Sequence, residues 1–277
     1  MCVLNKEVRV GLALGGGVAR GMAHIGVLQA LHEHNIPVHL VAGTSAGALV
    51  GAMYCAGLDP WAMQRAAESL NWRGMVRLQL RRDGLLDATG LERFILANVG
   101  DLNFRDMKVP FTAVATDLLS GEEILMTEGR VATSVRASCA FPGIFLPVRM
   151  GQRTLVDGGL VNNVPTSVVR QMGADVVIAV ELNRPRSEIR PPRNLLHIML
   201  YSLAVLQRPQ IAASLSRADV CIQPDLNDFS VVELERLHGM IEVGRKATVE
   251  VLPQIRAALE RVAEGSMELE AAELTAT

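Results

Sequence analysis

Five consecutive residues, Gly43-Thr44-Ser45-Ala46-Gly47, stand between an apolar strand-like run at 38–42 and a small-residue helical run at 48–56. A serine in a Gly-x-Ser-x-Gly turn of this kind is held at the carboxyl end of a strand, where its hydroxyl can attack a carbonyl carbon. The glycines let the chain turn sharply and let the helix close on the strand. The helix N-terminus behind the serine favours developing negative charge. The plainer reading of the same residues is a serine N-cap in a glycine-rich chain. The pattern alone is weak, and its strand–turn–helix setting strengthens it.

A second glycine turn, Gly15-Gly16-Gly17-Val18-Ala19-Arg20-Gly21, follows the β-rich run 8–14 and opens a helical run at 20–35. It does not fit a dinucleotide fingerprint: counted from Gly15 the last glycine is replaced by Arg20, and counted from Gly16 the second is replaced by Val18. Nor does it fit a phosphate loop, because Met22-Ala23 stand where Lys and Ser or Thr are needed. Two readings remain, a row of backbone N–H groups for an oxyanion and a plain strand-to-helix turn. Both glycine turns fall at the carboxyl ends of successive predicted strands, where α/β sheets place their sites.

A serine nucleophile needs a base. In the Ser…Asp…His order of the conventional α/β-hydrolases, only His197 or His238 of the six histidines could close a triad. That fold also sets several strands before its elbow, and only 44 residues precede Ser45. The other candidate is Asp157-Gly158-Gly159, after the apolar pair Leu155-Val156. A carboxylate at a strand end can point inward, and burial raises its pKa into the range of a general base. Taken alone, Asp-Gly-Gly reads equally as a surface turn.

These residues must be positioned by the rest of the chain, which has 277 residues, 49% of them hydrophobic. That supports a large core and excludes wholesale disorder. A formal charge of -2 and ten aromatic residues argue against nucleic-acid binding. Cys2, Cys55, Cys139 and Cys221 lie far apart, which suits a reducing, cytoplasmic setting rather than a disulfide framework or a zinc site. No secretory signal is visible, and no apolar run reaches the ~18 residues of a spanning helix.

Strand–loop–helix alternation over the first 57 residues predicts an α/β fold with a mostly parallel sheet and helices on both faces. Asp59 and Pro60 open a helix to about residue 70, and Thr89 with Glu92 forms a capping box for another to residue 98. Segments 111–117 and 123–127 flank a turn at Ser120-Gly121, and 149–154 turns at Gly151. Asn162-Asn163 cap a helix that begins at Pro165. Segment 174–182 is a buried strand and 220–223 a last short one. The apolar helix at 195–217 reads as core up to residue 206, with a break at Pro209. A helix at 240–264, bent at Pro253, precedes an acidic tail at 265–277 that is expected to fray. Residues 8–264 read as one domain. The four arginines of 73–82 read chiefly as a solvated helix face, with an anionic membrane as the minority reading.

Four blocks in order, GLALGGGVARGMAHIGVLQAL, VAGTSAGALVGAMY, ASCAFPGIFLPV and LVDGGLVNNVP, resemble the patatin-like phospholipases. The likeness is greatest to the bacterial branch similar to the neuropathy target esterase catalytic domain. It covers residues 8–182 strongly and the chain to about 260 more weakly. It implies a three-layer α/β fold and a Ser–Asp dyad without histidine, with Ser45 as nucleophile and Asp157 as base. It also implies oxyanion donors from the Gly16–Val18 backbone, braced by Arg20, and no metal or organic cofactor. The implied activity is hydrolysis of lipid acyl esters, with peripheral contact at the inner membrane face. Phe141, Phe145 and Leu146 are expected to line the acyl pocket. One departure stands out: Val18 occupies a position that is usually glycine. A β-branched residue takes positive φ only at a cost, so an oxyanion loop here is expected to hold Val18 at negative φ. Two rival readings are a conventional triad esterase and a regulatory or adaptor protein on the same scaffold.

Overall fold

Val10–Leu14 (β1) and Leu40–Thr44 (β2) are wholly buried apolar strands, as a parallel sheet covered on both faces requires. The structure, a computed structural model, describes residues 8–69, 77–81, 84–183, 195–229 and 235–275. Arg77–Arg81 (β3) pairs antiparallel with Gly84–Asp87 (β4) in a separate ribbon. The main sheet adds Phe111–Asp117 (β5), Glu123–Met126 (β6), Val148–Met150 (β7), Arg153–Asp157 (β8), Val176–Val180 (β9) and Val220–Ile222 (β10). Its strand order is β10-β9-β1-β2-β5-β8-β7, with β6 also paired to β5. The pairs from β10 to β5 are parallel, whereas β6, β7 and β8 join antiparallel. The sheet is therefore mixed, with a parallel half that carries the glycine turns.

Helices cover both faces. Met22–Glu33 (α1), Ala46–Cys55 (α2), Pro60–Glu68 (α3), Thr89–Val99 (α4), Val131–Ser138 (α5) and Leu237–Thr275 (α8) share one core with Leu12, Leu14 and Val41. Thr166–Gln171 (α6) and Leu195–Leu215 (α7) pack on the other face, against Ala13, Leu40 and Ala42. Alternate residues of β1 thus feed opposite cores, as the period of two in a strand dictates.

Several local expectations are corrected. Strand β2 runs to Thr44 rather than Ala42, because its last rungs on β5 carry it into the turn. Thr89 does not cap α4: its N–H donates to Asp87, and Glu92 instead pairs with Arg136 at 2.8 Å. Part of the arginine stretch is strand β3 rather than helix, and residues 73–76 and 82 lie outside the described residues. Helix α8 continues through Gly265 to Thr275, where a frayed tail is expected. The apolar stretch assigned to the core up to residue 206 is largely exposed on α7, with Leu206 at 73%. Among the described residues of that helix, Ile211 and Leu215, in its C-terminal part, pack against the second core.

Candidate active site

The site is built on one edge of β5. Successive residues of a strand point their backbone groups to opposite edges. The Asp117 N–H bonds Glu122 on the β6 side, while the Leu118 N–H bonds Thr154 on the β8 side. The carbonyl of Pro110, with the parity of residue 118, accepts from Val41 of β2. Strands β2 and β8 therefore share an edge and run head to head. Strand β2 ends with Thr44 opposite Val114, and β8 ends with Asp157 opposite Ala115. The residue after Thr44 is Ser45, so the nucleophile candidate and the carboxylate candidate meet where the two strands stop.

Ser45 has φ 55 and ψ -120, a conformation that costs a non-glycine residue about 1–3 kcal/mol. The surroundings enforce it. A Cβ on Gly47 would overlap the Leu14 carbonyl, and one on Gly43 would overlap the Gly47 backbone, so strand and helix close at a distance only glycine permits. The Thr44 hydroxyl donates to the Asn162 carbonyl and ties the elbow to the base turn. The Ser45 N–H donates to Ser138 Oγ (2.9 Å), whose own hydroxyl donates to the Val114 carbonyl (2.5 Å).

Asp157 is buried, and one carboxylate oxygen accepts from the Gly159 N–H at 2.8 Å. Burial pushes its pKa up to about 6, against the stabilising hydrogen bonds from the Ser45 hydroxyl and Gly159. The Asp157 N–H is held by the Ala140 carbonyl, and its own carbonyl accepts from Thr116. Burial, with the Asp157 charge, pushes up the pKa of the neighbouring Cys139 thiol against a smaller lowering by Ser45. Cys139 is therefore a neutral neighbour and not a competing thiolate.

The glycine loop is pinned at both ends. The Gly15 N–H donates to Val180, and the Gly15 carbonyl pairs with His24 Nε2 at 2.8 Å. The Gly16 N–H donates to the Asn163 carbonyl, and the Gly16 carbonyl accepts from Asn183 at 2.7 Å. Gly16 is thus no free donor; the Gly17 and Val18 amides carry no hydrogen bond among the described residues. Val18 has φ +51, against the negative value expected, and it is half exposed. It begins the short 3-10 turn Val18–Gly21, and the loop holds it there against the local clash of its Cβ with the backbone. Arg20 is buried; its guanidinium donates to the Phe229 and Leu182 carbonyls, and Gly21 abuts Ala46.

A conventional triad would need His197 or His238. His238 pairs with Glu68 at 2.8 Å on an exposed surface, and the side chain of His197 lies outside the described residues. His24 is buried behind the glycine loop, and burial lowers its pKa to about 4, so it is a neutral strut. Asn162 and Asn163 do not cap α6, whose N-cap is Pro165; Asn162 donates instead to Glu123 and Ser167. An apolar cavity lies among α1, α2, α3 and α4, lined by Met22, Leu49, Met53, Met63 and Phe94. Leu49 is one helical turn from Ser45.

Residues 12–170 match the family described as Patatin-like phospholipase. The chain belongs to the patatin-like phospholipase family. A patatin-like relative, an uncharacterized NTE family protein of Mycobacterium tuberculosis, is 40% identical over 194 residues, 69% of this chain and 53% of that protein. Lysophospholipase NTE1 of Pyricularia oryzae is 28% identical over 284 residues, 89% of this chain and 18% of that protein. The chain thus spans about half the length, or less, of these curated relatives. The crystal structure of VipD from Legionella pneumophila shares the patatin-like fold with a TM-score of 0.54 and 15% identity, over 90% of this chain and 67% of that one. Ser138, Asn163 and Asn183 of this patatin-like site carry no chemical signature in the sequence. Only the fold brings them to the elbow and the glycine loop.

Proposed function

We propose that residues 8–264 form a serine lipid acyl hydrolase working through Ser45 and Asp157. The observation that carries this reading is the meeting of Ser45, where β2 ends, with the buried Asp157, where β8 ends, whose pKa burial raises to about 6. Ser45 Oγ attacks the ester carbonyl carbon while Asp157 takes its proton. The Gly17 and Val18 amides, with the α2 N-terminus, stabilise the tetrahedral oxyanion. Collapse expels the alcohol, which takes the proton from Asp157, and leaves an acyl-enzyme. Water then gives a proton to Asp157 and attacks the acyl carbon; collapse releases the fatty acid and returns the proton to Ser45. The half-buried Phe141, Phe145 and Leu146, in the loop after α5, supply apolar surface for the acyl chain; the cavity among α1–α4, about 20 Å³, is too small to hold one. Family membership and the name of the fungal relative favour phospholipids and lysophospholipids as substrates. Such substrates call for peripheral contact with a membrane; no described helix is long and apolar enough to cross one.

The test is labelling with a fluorophosphonate followed by assay on a panel of lipid esters. Ser45→Ala should abolish labelling and lower turnover by roughly 10⁴-fold or more, with folding little changed. Retained turnover in the purified variant would overturn the assignment.

A further inference from the structure

The first twelve residues of helix α7, Leu195 to Leu206, are largely apolar, a composition that normally signals a buried helix. Here much of it faces solvent. Ile198, Met199, Val205 and Leu206 are all exposed, and they form two pairs seven residues apart, which places them on one stripe. The stripe is continuous with the site: Gln207 of the same helix donates to the Gly159 carbonyl at 2.8 Å, in the turn that holds Asp157. Met199 also lies against Gly143 of the loop after α5.

The exposed apolar surface extends beyond the helix. Leu118 and Leu119, the latter 79% exposed, follow the carboxyl end of β5, and half-exposed Val18 follows β1. Strands β1, β2 and β5 are parallel, so these side chains emerge at the same sheet edge as Ser45. Two separate loops and one helix thus set large apolar side chains toward the end of the sheet that carries Ser45. Residues 195–218 contain no Asp or Glu, and the cations Arg208 and Arg217 fall within them. Arg208 is exposed.

We propose that the α7 stripe, with Leu118 and Leu119, is the surface by which the protein docks on a phospholipid bilayer bearing anionic headgroups. This rests on the hydrolase reading and names where its substrate enters. Apolar side chains sunk to the acyl boundary would place the mouth at the depth of the scissile ester, and the exposed arginine suits the headgroups. A second copy of the chain on the same surface would cover the mouth, which disfavours it as the occupant.

The experiment uses the full chain, sedimented with phosphatidylglycerol–phosphatidylcholine vesicles and assayed on a short soluble ester and on vesicle phospholipid. Val205→Glu/Leu206→Glu should weaken vesicle binding by about tenfold or more and lower turnover of vesicle phospholipid similarly. Soluble-ester turnover, circular dichroism and native mass should be unchanged. Leu119→Glu, on a separate segment, should act in the same direction and stands in should the double variant misfold. Wild-type binding should survive high salt, since apolar burial is not screened. Unchanged binding in both variants overturns the proposal, as does binding that vanishes with salt, or a wild-type dimer that the double substitution makes monomeric. A wild-type protein inactive on both substrates overturns the hydrolase reading instead, and vesicle binding then tests the surface alone.

Discussion

The hydroxyl of Ser138 stands in the place of a β-ladder rung that Ser45 would otherwise make. Continuing the series begun by Val41 and Pro110, the Ser45 N–H would bond the Val114 carbonyl; instead Ser138 Oγ accepts from the first and donates to the second. The hydroxyl widens the ladder by one atom where β2 turns into the elbow. Ser138→Ala leaves two backbone groups without partners, at a cost of about 1–3 kcal/mol. We expect kcat on a soluble ester to fall by roughly tenfold or more with KM little changed, because the elbow geometry and not substrate binding is lost. A KM rise at constant kcat would count against this role.

Asp157→Asn should lower turnover by several orders of magnitude, since an amide cannot accept the serine proton. It should also stabilise the fold. The folded pKa of Asp157, about 6, lies above the ordinary aspartate value of 3.8, so the native state binds the proton more tightly. The ionised group therefore destabilises the fold fully above about pH 6, and that effect disappears below about pH 4. Denaturant unfolding should show the variant more stable than wild type at pH 8 by up to ~2–3 kcal/mol, with the gap closing near pH 4. An equal gap at both pH values would contradict the raised pKa.

The same group sets the rate profile. Because the base must be ionised, kcat/KM on a soluble ester should rise with pH through about 6 and level off above it. A profile already flat at pH 5 would remove Asp157 as the titrating base.

Val18 is a β-branched residue at φ +51. Val18→Gly relieves a strain of about 1–3 kcal/mol and gives back up to ~1 kcal/mol through the freer unfolded chain. The variant should be equal to wild type or up to ~2 kcal/mol more stable, with turnover within about tenfold. A clear loss of stability by chemical denaturation would show that the valine side chain contributes packing that its exposure denies.

His197→Gln and His238→Gln should each retain most activity on a short ester. His238 is engaged with Glu68 on the surface, and the carboxylate that ends β8 where Ser45 follows β2 is Asp157. A histidine variant as inactive as Asp157→Asn would return the protein to the Ser-His-Asp class.

The sequence by itself determined the parallel α/β alternation, because buried strands and their following helices differ in period and in length. It also marked Ser45, Asp157 and the glycine loop, because sharp turns at strand ends demand glycine beside the reactive residue. Other features depended on contacts between segments far apart in the chain. That β2 and β8 end head to head on one edge of β5 follows from strand order and register, which no local pattern encodes. Ser138 lies 93 residues from Ser45, and Asn163 meets Gly16 across 147 positions; both stand in blocks that carry the family resemblance, but their types and spacing gave no sign of these contacts. The positive φ of Val18 was opposed by local preference and imposed by a loop anchored through Gly15, Gly16 and Arg20. The exposure of α7 likewise ran against its composition: hydrophobicity records what a helix would bury, and only the packed structure decides whether the protein itself supplies the cover.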